Sequence, residues 1–231
     1  LIQQANLMKK QIENTFWDPK EQCYRDSIKD NRFGEIISQH TNAYLAIKGV
    51  VPPEKLPLIL ERVFIKPGPE NDIIQIDKLR DKFIKHDLLP FNPQKNVLIA
   101  QPFFMHHVNK FFDMMNRFDL MFNYFRRGWI PMIQIGKTFT IWETWSNTGS
   151  ECHAWAASPG YDLPTYILGI KPTEAGFDKF EITPNLADLR WARGLVPTIK
   201  GDIWVSWEIS ERQFFIQFDV PKDSLCEFKC P

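Results

Sequence analysis

Residues 104–129, FMHHVNKFFDMMNRFDLMFNYFRRGW, carry two successive stripes of large apolar side chains at helical spacing. Phe104, Val108, Phe111, Phe112 and Met115 form the first, and Phe118, Met121, Phe122, Phe125 and Trp129 the second. Only Asn116-Arg117 separates them, so an antiparallel helical hairpin is expected. The same period extends upstream. Leu1, Ala5, Met8, Ile12 and Phe16 mark a first helix, which Trp17-Asp18-Pro19 ends because proline disfavours helical geometry in the residue before it. Residues 38–50 read as a second helix, capped by Ser38 and closed near Gly49. Leu56, Ile59, Leu60 and Val63 mark a third, with Pro57 in its first turn. Residues 66–97 combine prolines with mixed charge and show no clear period, and a last helix is expected through 154–168.

Beyond Gly169 the period becomes two. Phe180 and Ile182 alternate with Lys179, Glu181 and Thr183. Ile203, Val205, Trp207 and Ile209 alternate against Asp202, Ser206 and Glu208, with Trp204 out of step. Phe214, Ile216, Phe218 and Val220 alternate against Gln213, Gln217 and Asp219. With Pro184, Gly194, Pro197 and Gly201 between them, these runs read as an antiparallel β unit. The chain is therefore expected to be mainly α with a C-terminal β unit, divided into residues 1–170 and 171–231.

Composition narrows the function classes. The 28 basic and 28 acidic residues cancel, which argues against a nucleic-acid or anionic-membrane partner. No apolar run approaches the ~18 residues that a membrane-spanning helix needs. Cys23, Cys152, Cys226 and Cys230 form no CxxC pair, and the five histidines are scattered, so neither a metal site nor a cofactor is expected. The chain opens Leu1-Ile2-Gln3-Gln4-Ala5, inside an amphipathic helix and without an initiator Met or signal-peptide pattern. The expectation is a piece of a longer polypeptide, with its compartment unassigned.

Chemistry concentrates in residues 138–160. Trp142, Trp145 and Trp155 fall within fourteen residues and flank Glu143 and His153. Indole walls desolvate a carboxylate, and flat rings stack on the apolar faces of sugars, an environment suited to a glycosidase acid or base. Equally, the indoles could be core and Glu143 a local cap. His153 reads as a satisfied interior imidazole or as a partner of a substrate hydroxyl. A second polar cluster lies at the ends of the first two helices: Asp18, Tyr24, Arg25 and Asp26, then Gln39, His40 and Asn42. In a helical barrel such loop ends line the pocket, which would bring His40 and Asn42 toward Glu143; ordinary capping is the alternative.

The block from Thr138 to Glu208 resembles the end of bacterial α-L-rhamnosidases of glycoside hydrolase family 78. The resemblance rests on Trp142-Glu143, on HAW-x3-P from His153 to Pro159, and on LGI-x-P-T-E-x-G-F from Leu168 to Phe177. It rests also on WA-x-G-x-VPT-x-x-G from Trp191 to Gly201. FWD at 16–18, YRDS at 24–27 and SQHTNAYLAIKG at 38–49 resemble earlier barrel helices of that family more loosely.

The resemblance implies part of an (α/α)6, or six-hairpin, barrel followed by an antiparallel β-sandwich. It implies hydrolysis of terminal α-L-rhamnose from glycosides with inversion, by two carboxylates. Glu143 matches the general base that activates water, and His153 a histidine lining the rhamnose pocket. Trp142, Trp145 and Trp155 are expected as ring-stacking walls.

The family's general acid lies in an acidic stretch with Trp and Gly on an earlier barrel helix, and nothing here resembles it. An inverting pair needs both carboxyls. The chain is therefore expected to be inactive alone and to work with the remainder of its polypeptide on a rhamnose-containing glycoside. Incomplete barrel packing would expose the stripes of Phe104, Phe111 and Phe112 or of Leu1, Met8 and Ile12, and so favour association, including homo-oligomers. Two other readings stay open: a non-catalytic carbohydrate-binding or structural module, and another glycosidase on the same barrel.

Overall fold

The leading helix α1 (Ile2–Phe16) ends where Trp17 turns to extended geometry at φ −69° and ψ 120°, one residue before Asp18, the position that Pro19 restricts. In the computed structural model, residues 1–65, 91–92, 96–134, 138–145 and 149–231 are described, so most of the 66–97 reading falls outside the described residues. These residues fall into two units, Leu1–Ala157 and Ser158–Pro231.

In the first unit, short hairpins follow α1. Strands β1 (Trp17–Asp18) and β2 (Cys23–Tyr24) pair antiparallel, as do β3 (Ile28–Lys29) and β4 (Arg32–Phe33). The second hairpin turns through Asp30 and Asn31, both at positive φ, the left-handed pair that a two-residue hairpin loop demands. A parallel strand β5 (Ile37–Ser38) leads into α2 (Gln39–Ile47) and pairs with β7 (Val97–Leu98), whose other edge takes β6 (Phe91–Asn92). The Ser38 hydroxyl accepts the Thr41 N–H at 3.0 Å, and it donates to Asp26 at 2.8 Å. Helix α3 (Leu56–Ile59) continues as a π-helical turn to Ile65.

The expected hairpin is present. Helix α4 (Met105–Met114) and α5 (Phe118–Tyr124) flank Asn116, which takes φ 54° to reverse the chain. The second arm runs on through a wide turn at Phe125–Trp129 into α6 (Ile130–Gln134). Phe111 and Phe112 are fully buried against Phe64, at ring distances of 5.1 and 5.4 Å. Exposure of that stripe was expected and is corrected: α2, α3 and α5 cover it locally. The α1 stripe does face solvent, with Leu1, Ile2, Leu7 and Met8 all exposed and no residue of the helix buried.

Polar groups lock the first unit from within. The Gln39 amide donates to the Tyr124 hydroxyl at 2.7 Å and accepts the Ala100 N–H at 3.0 Å, joining α2 to α5 and to the chain before α4. Asp18 accepts Arg25 at 2.9 Å and the N–H groups of Lys20 and Glu21. Burial pushes this carboxyl up, and the Arg25 hydrogen bond, the two backbone N–H groups and the Arg25 charge outweigh it, leaving it below its ordinary value. Because the folded value is the lower one, its stabilisation is present above the unfolded carboxylate's range and lost as pH falls through the folded value. Asp18→Asn should therefore lower stability at neutral pH and flatten its acid dependence in urea melts from pH 7 down to about 3; parallel acid limbs would contradict this.

The second unit opens with helix α7 (Pro159–Leu163), continued by a π-helical turn to Leu168, rather than one regular helix through 154–168. Gly169 ends it at φ 78°, and a side chain there would overlap the Thr183 carbonyl and come 2.6 Å from the Pro184 nitrogen. Only glycine fits both demands.

Six strands follow. Strands β8 (Ile170–Pro172) and β9 (Lys179–Ile182) pair antiparallel, and β10 (Trp191–Thr198), β11 (Gly201–Ser210) and β12 (Gln213–Asp219) form an antiparallel meander. Strand β13 (Leu225–Phe228) joins β9 in parallel, so the second sheet departs from the all-antiparallel expectation. The residues between β12 and β13 carry the chain to the other sheet, and this crossover sets the parallel direction. Ile203, Val205 and Trp207 are buried along β11, and Trp204 is half-buried on the opposite face. Phe218 of β12 meets Phe228 of β13 at 5.7 Å. No helix among the described residues is long and apolar enough to cross a membrane.

Candidate functional site

Glu143 sits in a returning loop of the first unit. Its backbone N–H donates to Ser150 at 2.9 Å, and His153 N–H donates to Ile141 at 2.9 Å, so the two limbs pair like a short ribbon. The Thr140 hydroxyl donates to the Glu151 carbonyl at the same ribbon's base. This pairing places His153 Nδ1 4.0 Å from Glu143 Oε2. The Glu143 side chain is 46% exposed and its Oε2 accepts the Ser150 N–H at 3.0 Å. Gly149 lies against it: a Cβ there would stand 3.0 Å from Glu143 Cδ. The pair can polarise a water or a hydroxyl between them, and it forms an ion pair when His153 is protonated.

The three indoles divide their roles. Trp142 is buried, with its backbone N–H on the Met132 sulfur at 3.4 Å. Trp145 donates its indole N–H to the Ala100 carbonyl at 2.7 Å and stands T-shaped against Trp129 at 4.9 Å. Trp129 in turn donates to the Ala156 carbonyl at 2.9 Å. Trp155 is 74% exposed, T-shaped to His153 at 6.1 Å and 6.0 Å from exposed Phe103. The expectation that indoles enclose Glu143 is thus corrected, since water reaches the carboxylate and two of the rings are held by the protein itself.

The second cluster splits as well. His40 packs on Phe104 at 4.7 Å, and Phe104 adjoins Phe103 at 6.5 Å, so His40 stands at the far end of the ring row that leads to Trp155 and His153. Burial holds His40 below the ordinary imidazole value, against the pull of Asp26. Asn42 is fully buried. Its amide donates to Tyr24 and Ser38 carbonyls at 3.0 and 2.9 Å and accepts the Tyr24 N–H at 2.9 Å, which commits it to bracing β2 and not to the ring row.

Phe103, Phe104 and Gly128 were not singled out by sequence as site residues. Phe104 reads simply as the first member of a helical stripe, and Phe103-Phe104 after Pro102 was the available signal. Gly128 leaves room for the Trp145 ring, to which a Cβ would come within 2.7 Å at Cη2. Gly128→Ala is expected to cost about 1–3 kcal/mol through overpacking, with a changed near-UV circular dichroism as Trp145 leaves Ala100. Unaltered urea melts and spectra would show that the ring yields freely.

Among known proteins, residues 169–231 match the family model "Bacterial alpha-L-rhamnosidase C-terminal domain". An α-L-rhamnosidase of Alteromonas sp. (strain LOR) is 32% identical over 126 residues, and one of Formosa agariphila is 30% identical over 127. Each alignment covers 49% of this chain and 14% of the relative, so the chain spans a small part of their length. The GH78 family rhamnosidase of Bacillus sp. GL1 superposes over 98% of this chain and 22% of its own, with TM-score 0.76 and 26% identity. The α-L-rhamnosidase of Dictyoglomus thermophilum shares the fold over 98% of this chain and 23% of its own, with TM-score 0.67 and 21% identity. Local sequence, segment match and chain-wide superposition agree: the chain is similar to bacterial GH78 α-L-rhamnosidases, and its residues 169–231 match the model of their C-terminal domain.

Proposed function

We propose that this chain contributes the general-base side of an inverting exo-α-L-rhamnosidase site. Glu143 takes a proton from the attacking water, and His153 hydrogen-bonds a hydroxyl of the terminal rhamnose. The first unit then forms part of an (α/α)6 barrel and the second a β-sandwich, with the general acid supplied by a longer polypeptide. The observation that carries this reading is the Glu143–His153 pair, 4.0 Å apart and open to water, in a segment that resembles the family's base motif. Inversion needs roughly 6.5–9.5 Å between two carboxyls to hold that water.

A second reading, a binding module without catalysis, is favoured by one feature. Glu143 Oε2 already accepts the Ser150 N–H, as a purely local turn-stabilising carboxylate would. Release of p-nitrophenol from p-nitrophenyl α-L-rhamnoside separates the two, assayed with this chain and with a longer polypeptide containing it. Turnover in the longer protein alone is the expected result; folded protein without turnover in both would leave the binding module.

A further inference from the structure

Gly149 and Ser150 make a seat for one of the two oxygens of Glu143. The Ser150 N–H donates to Oε2 at 3.0 Å, and the Ser150 carbonyl accepts the Glu143 N–H at 2.9 Å, so one residue holds the glutamate by side chain and backbone together. Its hydroxyl turns along the other limb. It donates to the Cys152 carbonyl at 3.1 Å and accepts the Cys152 N–H at 3.2 Å. His153 follows directly and donates its own N–H to Ile141 at 2.9 Å. Ser150 thus connects the carboxylate to the limb that carries the imidazole, whose Nδ1 stands 4.0 Å from Oε2.

Gly149 supplies the room. It lies outside the left-handed region, so its backbone admits an ordinary side chain. What is missing is volume: a Cβ there would stand 2.5 Å from Oε2, 3.0 Å from Cδ and 3.2 Å from Cβ of Glu143. The colliding oxygen is the tip of a flexible side chain, which can swing aside with little loss of folding energy. The carboxylate would then leave its hydrogen bond.

Oε2 is therefore the held oxygen, with His153 on its side. Among the described residues no hydrogen bond reaches Oε1. We propose that Gly149 and Ser150 are positioning residues of the hydrolytic step, fixing Oε2 so that Oε1 takes the proton of the attacking water. As that proton moves to Oε1, the water oxygen bonds to the anomeric carbon. The leaving oxygen on the opposite face takes its proton from the general acid of the longer polypeptide. Holding one oxygen confines the other, and a misplacement of about 1 Å can cost about 100-fold in rate. The proposal rests on Glu143 being the base. A carboxylate that only braced its own turn would use the same bond, but its displacement would appear in stability and not in turnover.

The test is steady-state kinetics on p-nitrophenyl α-L-rhamnoside, in a polypeptide that contains these residues and releases rhamnose, with a urea melt beside each assay. Gly149→Ala should lower kcat by about 10–100-fold, with KM and the melt nearly unchanged. Ser150→Ala, which removes both hydroxyl bonds to Cys152, should lower kcat by about 3–10-fold, and Ser150→Thr should restore it. Glu143→Gln separates the two levels. Turnover that survives Glu143→Gln removes the base itself. Turnover lost in Glu143→Gln but kept in Gly149→Ala or Ser150→Ala leaves the base in place and overturns the seat. A melt lowered by Gly149→Ala in step with kcat overturns it too, since the glycine would then serve the fold. Amide spectra of the 231-residue chain give a readout without activity: the Ser150 N–H resonance should move in both Glu143→Gln and Gly149→Ala. An unmoved resonance would remove the hydrogen bond on which the seat stands.

Discussion

Glu143→Gln in a polypeptide that releases rhamnose should lower turnover by roughly 10²–10⁴-fold, the usual contribution of a positioned general base. The amide keeps the shape of the carboxylate and can still accept the Ser150 N–H now made at 3.0 Å, so the pairing of Thr140–Glu143 with Ser150–His153 should survive. It cannot take a proton from water. The loss should therefore fall on kcat, with KM changed little, because the sugar contacts remain. Far-UV circular dichroism and the melting temperature should match the parent protein. Near-normal turnover by a folded variant would remove Glu143 from the base role.

Trp207→Ala should be the most destabilising single change in the second unit, by about 3–5 kcal/mol. The ring is 1% exposed, meets Phe214 at 6.1 Å, and donates its N–H to the Ile167 carbonyl at 3.3 Å. It therefore joins β11 to the π-helical turn before Gly169. Truncation leaves a large cavity and removes one of two N–H donors to the Ile167 carbonyl, which keeps the Asn185 N–H at 3.3 Å, while Ile203, Val205 and Phe180 of the same unit are already buried. Chemical denaturation followed by circular dichroism measures the loss. A cost below about 1 kcal/mol would mean the unit collapses around the gap.

Several elements were legible because their signals are local. The stripes of 104–129 placed α4 and α5 and their link, and the Ser38 cap was found where its side chain and its geometry put it. Alternation along 203–207 identified the inner face of β11, with Trp204 on the other side, while Ile209, read as a member of the same face, is exposed. Strand β10 gave no such signal. Its less exposed face carries Ala192, Gly194, Val196 and Thr198, while Trp191 and Leu195 face solvent, so large apolar residues do not mark the inside. The two-residue strands β1 to β7 are too short for any period to show. The hairpin turns at Asp30-Asn31 and Glu211-Arg212 use left-handed residues other than glycine, which removes the usual turn signal.

The candidate site divides along the same line. Glu143 and His153 are ten residues apart, and a motif names both. By itself the sequence determined the α4–α5 hairpin with its inward stripes, the alternation of β11 and β12, the neutral charge balance and the resemblance to rhamnosidase C-terminal parts, since spacing and composition are properties of neighbouring residues. Only the tertiary structure decided that Asn42 is a buried brace, that Trp145 supports rather than stacks, and that Phe103 stands beside Trp155. Those outcomes depend on residues some 18 to 50 positions apart meeting when the chain closes, where burial and hydrogen-bond satisfaction choose which polar groups are consumed inside and which are left for a ligand.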